Sequence, residues 1–583
     1  MKRYVLILSG LLACTAAFAQ NLNPTVEVTN AYQGKLMDVK RQEVPMAVPD
    51  SLLKFDWDFN YSVFDNPYKG AYEFTPYMIE MKPDVTPSDA KRFYARIGAG
   101  YSLHPEGVVY WNPRIGPKFT LSVYDRFKGY WGNYVDVNDR KNPYYGSDMA
   151  NVAGLGARFN ADKLVVSLDG DFDWIRTREL LFDGNNVLKG GGKIGIESVN
   201  TKHFFYGMSV HYYGLKNTVN DFFVNEDGDG PETSPAVFAE DNMGGDFKAG
   251  VRIGRKHSLA VDAKFDRYVF GDPVTKYASS NDVYSVTPSY SFIFKRGSVS
   301  LGATYADILK DKIYSASASE DVEYLVKNLY PDVHASFEVL RDALVVSAKF
   351  TGGLKFNTYG SYLEDNHHFN HLLSSRYVPG QSVDTGSALG QASVNTFDAA
   401  LGLSGRITNR FQYKADAGFA RWYHAPLDGV IESSGSHFYY LSMANYDIAY
   451  ADIDAAFIGD RFNASAHFRF QDAALKSVSY ALTLPHFVGD AMVEYNWNHR
   501  IFAGVNAEWM SVRRYGYGQM AIDPSFHYTA YGWLDLGVQL EYKFAGKFSV
   551  WAKGGNLLNQ EVMRNCMYAE KGPYFTLGIC LGL

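Results

Sequence analysis

Residues Leu259 to Asp266 read LAVDAKFD. Leu259, Val261, Ala263 and Phe265 fall on one face of an extended chain, and Asp262, Lys264 and Asp266 on the other. Successive side chains of a β-strand point to opposite faces, so this segment has one apolar face and one face that borders water. The pattern returns at Leu164 to Trp174, where Val166, Leu168, Phe172 and Trp174 oppose Asp169, Asp171 and Asp173. It returns again at Ile501 to Trp509, where Ala503, Val505 and Ala507 oppose Asn506 and Glu508. Alternation over segments of about ten residues is the signature of strands that cross a membrane in a β-barrel.

Composition agrees with strands and turns rather than helices: 16% of residues are aromatic, with 43 Tyr and 39 Phe, and there are 53 Gly. The first residues resemble an export signal. Met1-Lys2-Arg3 is the positive start, Tyr4 to Phe18 the apolar stretch, and Ala17-Phe18-Ala19 the small-residue cleavage site before Gln20. A competing reading makes Leu11-Leu12-Ala13-Cys14 a lipoprotein box, against which Leu12 is a poor fit. If Cys14 leaves with the signal, Cys566 and Cys580 remain, too few for a disulfide framework. No later run of about eighteen apolar residues offers a transmembrane helix. Backbone hydrogen bonds inside lipid are satisfied only by helices and closed barrels, so strand count and connection length become the test.

From Arg92 onward, short connections are expected at Ala161–Lys163, Thr201–Lys202, Arg255–Lys256, Arg296–Gly297, Arg341–Asp342, Asn409–Arg410, Gly459–Arg461 and Ala545–Gly546. Long ones are expected at Asn133–Gly146, Asn217–Asn242, Lys310–Leu329, Asn357–Val394, Ala425–Ser436 and Arg514–Ala530. Their alternation predicts strands running up and down, with short periplasmic turns and long external loops. The expected fold is an all-β, transmembrane antiparallel β-barrel of about 22 strands, an even number that returns both chain ends to one side. Arg92–Pro113 is split into a hairpin around Leu103–Glu106, and His437–Ile458 is kept as one strand. The division is residues 1–19 as signal, 20–87 as an extended N-terminal arm or reduced plug, and 88–583 as barrel. Within the arm, Phe55, Trp57, Phe59 and Tyr61 alternate to give one apolar face expected to dock in the lumen or on a periplasmic partner.

By alternation Asp169, Asp171, Asp173, Asp262, Lys264, Asp266, Lys349, Asp416 and Glu508 face the lumen. They either line a hydrophilic passage that tunes selectivity or pair with one another as any large barrel requires. His367, His368 and His371 in the longest external loop invite a metal reading, but no second ligand cluster accompanies them, and no metal or cofactor is expected. Asn225, Asp227, Asp229 and Gly230 begin a calcium-loop pattern that has Ala236 where its bidentate Glu belongs. Lys189–Lys193 lacks phosphate-loop spacing, and no catalytic motif nominates a nucleophile, so neither an enzyme nor a nucleic-acid partner is expected.

The closing segments WAKGGNLLNQEV and GPYFTLGICLGL carry a resemblance. Asn556, Leu557 and Asn559, followed by a strand of the Tyr-Phe-x-x-Gly type from Tyr574, resemble the last two strands of a TonB-dependent receptor. Phe575, Leu577, Ile579, Leu581 and Leu583 alternate to the end, which is expected to close the barrel against its first strand. The resemblance implies an outer-membrane location, lipid contact, handling by the barrel-assembly machinery during biogenesis, and transport. Such receptors carry a plug of well over one hundred residues and usually end in an aromatic residue; here a short segment precedes the barrel and Leu583 is last. Thr25, Val26, Glu27, Val28 and Thr29 are similar to the box such receptors offer to TonB, and also fit an ordinary extended arm or contact with another periplasmic protein. The expected function is a transport barrel without a full plug, passing or binding polar solutes. The alternative is a non-transporting scaffold that anchors envelope partners.

Overall fold

The computed structural model describes residues 92–583 except 114, 117, 136–142, 179–183, 200, 202, 225–231, 273–276, 311–328, 370–391, 409, 434–435, 476–483 and 517–526. The signal, the arm 20–87, the box Thr25–Thr29 and His371 lie outside the described residues, as do the calcium-like positions 225–230.

Neighbouring strands pair antiparallel in chain order from Phe93–Tyr101 to Tyr574–Gly582. The last then pairs with the first, from Tyr94↔Gly582 to Tyr101↔Phe575. The result is a closed barrel of 22 strands, supplemented by two small hairpins, Arg513–Gly516 with His527–Ala530 and Val562–Asn565 with Tyr568–Glu570. Closure leaves no unpaired edge, as lipid demands. Among the described residues no helix is long and apolar enough to cross a membrane.

The first hairpin turns between Tyr101 and Glu106, and Ser436–Ile458 is one strand. All eight expected short connections fall at turns, and two further ones lie at 112–118 and 498–500. Two expected long loops are mostly strand. Phe204–Val224 and Glu232–Ile253 extend through most of Asn217–Asn242, and Phe411–Ser433 meets Ser436–Ile458 through most of Ala425–Ser436. These strands have 21, 22, 23 and 23 residues, against the roughly 9–11 needed to cross a bilayer. Beyond the lipid the outer face no longer has to be apolar, so the alternation fades while the hydrogen-bonded ladder continues.

Within the lipid depth the outer face is apolar. Leu259, Val261 and Phe265 are 49%, 42% and 45% exposed. Side chains of this kind recur on nearly every strand, far beyond the patch size a water-soluble surface carries, and they form the lipid-facing band.

At the closing seam Gly98 stands opposite Gly578, and the Trp551 ring lies over both on the inner face. A Cβ on Gly98 would meet the Trp551 ring at 2.4 Å and the Leu577 carbonyl oxygen at 2.9 Å. The Arg96 guanidinium covers the ring from 4.0 Å. Gly98→Val should therefore cost about 1–3 kcal/mol by overpacking the seam. The expected result is a smaller fraction of compact, fast-migrating protein on unheated gels; an unchanged fraction would show that the seam yields.

Candidate functional site

The longest connection described in part, 357–391, begins with a short helix. Thr358 caps it: the Ser361 amide donates to Thr358 Oγ1 (3.0 Å), and the Thr358 amide donates to Ser361 Oγ (3.1 Å). The helix Tyr359–Asp365 places Tyr359, Tyr362 and Leu363 on one face at the i, i+3, i+4 spacing, each 3% exposed or less. Seven residues are too few to hold a helix in water, so its order comes from docking.

Polar side chains of the barrel wall supply that docking. The buried Glu240 carboxylate accepts from the Tyr359 amide (2.6 Å), the Gly360 amide (3.2 Å) and the Tyr213 hydroxyl (2.8 Å). Asn217 Nδ2 donates to Asn185 Oδ1 (2.9 Å) and to the Tyr359 hydroxyl (2.6 Å). Asn185 Nδ2 in turn donates to the carbonyls of His367 (2.8 Å) and Phe369 (2.9 Å). Lys189 pairs with Glu364 and, at 3.7 Å, with Asp173. His367 Nδ1 lies 2.7 Å from Asp148, and His368 stacks on Tyr568 at 3.7 Å. Of the histidines considered as metal ligands, His367 thus serves as an ion-pair partner and His368 as a stacking surface.

Interleaved with this network, an apolar cluster joins Tyr359, Tyr362, Leu363 and Phe369 to Ile175, Val187, Leu215 and Phe238 of the wall. The same cluster includes Leu441, from a strand far around the barrel, with Tyr515 and Met563 from the two small hairpins. The hairpin Val562–Glu570 is tied down by Arg564, which pairs with Glu508 (2.9 Å), Asp535 (2.6 Å) and Glu570 (3.4 Å). The connections that supply these segments all lie at the end of the long loops. Side chains from several strands and three connections meet in one closure at that mouth.

Below the closure, strand register sets Asp169 opposite Lys193, Asp173 opposite Lys189, and Asp246 opposite Lys264, with Asp171 on the same face. Ion pairs join Lys193 to Asp246 (3.2 Å), Lys248 to Asp262 (3.1 Å), Lys349 to Asp398 (2.8 Å) and Lys414 to Asp416 (3.0 Å), and His211 Nε2 lies within hydrogen-bond distance of Asp266 (2.8 Å). These side chains share the face opposite Leu168, Phe172, Leu259 and Phe265. Acidic groups of one strand stand beside basic groups of its neighbours, so much of the wall's charge is paired. Sequence reasoning missed Glu240, Asn185, Asn217, Lys189 and Arg564. Each sits at an inward position or in a loop where a polar residue is unremarkable, and only Thr358 with Ser361 carried a local helix signal.

No family model matches the chain, and no curated protein matches it in sequence. Solved structures do. The ferric enterobactin receptor of Pseudomonas aeruginosa superposes with a TM-score of 0.60 at 10% identity, covering 85% of this chain and 81% of that one. The chain has the barrel fold of the TonB-dependent receptors. The siderophore receptor of Acinetobacter baumannii gives 0.60 at 10% identity over 84% of this chain and 80% of that one. The copper transporter OprC gives 0.59 at 12% identity over 85% and 80%. The likeness is one of barrel architecture.

The histidine anchor makes the closure sensitive to pH. Burial would lower the His367 pKa, but the charge of Asp148 and its hydrogen bond outweigh this and raise it. The stabilisation is therefore complete below the unfolded value of about 6.5 and is lost as pH rises through the raised folded value. Amide exchange over 359–369, corrected for its intrinsic pH dependence, should accelerate across that interval, and His367→Gln should remove the transition. A flat profile in the native chain would sink this coupling.

Proposed function

We propose that the chain is an outer-membrane transport barrel that passes or binds polar solutes, with the docked helix Tyr359–Asp365 as its closure. The observation that carries this reading is an inner wall lined with charged pairs, on which the helix is held by the polar anchors Glu240, Asn217, Asn185 and Lys189 beside an apolar cluster. Ion pairs and hydrogen bonds exchange readily with water or solute, unlike a continuous apolar core. Asp169, Asp171, Asp173, Asp262, Lys264, Asp266, Lys349, Asp416 and Glu508 then line the path and set selectivity by charge pattern. The neighbours in structure are named for ferric enterobactin, siderophore and copper; for this chain the wall supports polar solutes as a class.

The N-terminal segment 20–87 enters the proposal as a reduced plug or periplasmic contact, and Thr25–Thr29 as a strand-addition site for TonB or another periplasmic protein. Val26→Pro or Val28→Pro removes a backbone donor such pairing needs and should abolish energy-dependent uptake while leaving the barrel folded. Liposome swelling tests transport itself. Vesicles holding the full chain should swell in polar solutes more than empty vesicles and more slowly in larger ones. No difference from empty vesicles, with the protein folded, would favour the scaffold reading, for which the apolar cluster at the mouth is the supporting feature.

A further inference from the structure

The ten short turns that join strands at the end opposite the closure hold thirteen Lys and Arg and only three acidic residues, Asp162, Asp342 and Asp460. All three acids are taken: Lys118 pairs with Asp162 (3.8 Å), Arg341 with Asp342 (3.8 Å) and Arg410 with Asp460 (2.8 Å). The remaining turns present Arg255, Lys256, Lys295, Arg296, Arg500 and Lys547 to solvent with no acid in the same turn. The long connections at the other mouth hold more acid than base, and the whole chain carries −7, so the basic rim is a polarity of the molecule.

Depth identifies what the rim faces. Ile253 and Ile293, within two residues of basic turns, are 53% and 54% exposed, and Phe462 and Phe548 directly follow Arg461 and Lys547. The lipid-facing band thus runs down to the turns and places their side chains at headgroup level rather than free in the aqueous phase. Lys and Arg at that depth keep their stems along apolar surface and their charges among phosphates.

We propose that this rim binds the phosphates of anionic glycerophospholipids in the adjoining leaflet, gathering an annulus of phosphatidylglycerol-type lipid around one end of the barrel. The full chain, in nanodiscs of phosphatidylglycerol and phosphatidylcholine in equal amounts, should release in native mass spectrometry at least about fivefold more of the anionic lipid, the effect of even one basic side chain at an anionic surface. R255Q/K256Q/K295Q/R296Q should bring the ratio toward one, as should high salt. A second set, R461Q/R500Q/K547Q, changes different turns in case the first fails to shift on unheated gels. Equal retention by the native chain, or undiminished preference in both folded variants, overturns the proposal. Equal lipid retention together with rim-dependent binding of polyglutamate would also overturn it, assigning the rim to an acidic polypeptide.

Discussion

Glu240→Ala should free the helix Tyr359–Asp365 from the barrel wall while leaving the barrel closed. The carboxylate is 2% exposed and accepts two backbone amides and one hydroxyl. Its removal leaves the Tyr359 and Gly360 amides without those partners in a site that water scarcely enters, at a cost of about 3 kcal/mol or more. Amides of Tyr359 to Leu363 should then exchange on the order of 10²-fold faster, since their protection comes from docking. Glu240→Gln keeps one acceptor but turns an N–H toward another donor, so it should fall between the two. Unchanged exchange in the alanine variant would mean the helix is held by its apolar face alone, through Tyr362, Leu363 and Phe369.

A charge on the lipid side should be far more damaging than the loss of one on the inner side, one residue away. Val261 is exposed to lipid, and Val261→Arg should cost about 2–4 kcal/mol if it lies near mid-membrane, enough to reduce the folded fraction sharply. Asp262→Asn removes only a solvated pair with Lys248 at 3.1 Å and should cost less than about 1 kcal/mol. Refolding yields of both variants in detergent micelles and vesicles would compare them. Equal yields would place Val261 away from lipid and undo the assignment of faces.

These two neighbours also show why the barrel was legible in the sequence. A strand between lipid and water must alternate, and a barrel spanning a membrane must alternate turn lengths, so LAVDAKFD and its counterparts expose both constraints. The extensions of Phe204–Val224, Glu232–Ile253 and Phe411–Ser433 were not legible, because strands above the lipid lose the apolar half of the signal. The closure was harder still. Glu240, Asn217 and Asn185 belong to neighbouring strands of the wall and meet a loop more than one hundred residues later, a coincidence that only the closed geometry creates. His367 and His368 drew attention as possible ligands because residue type is visible in a sequence. Their partners Asp148 and Tyr568, each some two hundred residues away, are not.

Conductance in planar bilayers distinguishes a barrel closed at one mouth by the docked helix Tyr359–Asp365 from an open one. The full chain should be compared with one in which residues 357–391 are replaced by a short glycine-serine turn, both checked for the heat-dependent gel shift. The native chain should show intermittent conductance steps, and the replaced chain steady, larger ones. Equal conductance in two folded proteins would contradict the account and leave the helix Tyr359–Asp365 an ornament of the barrel's rim.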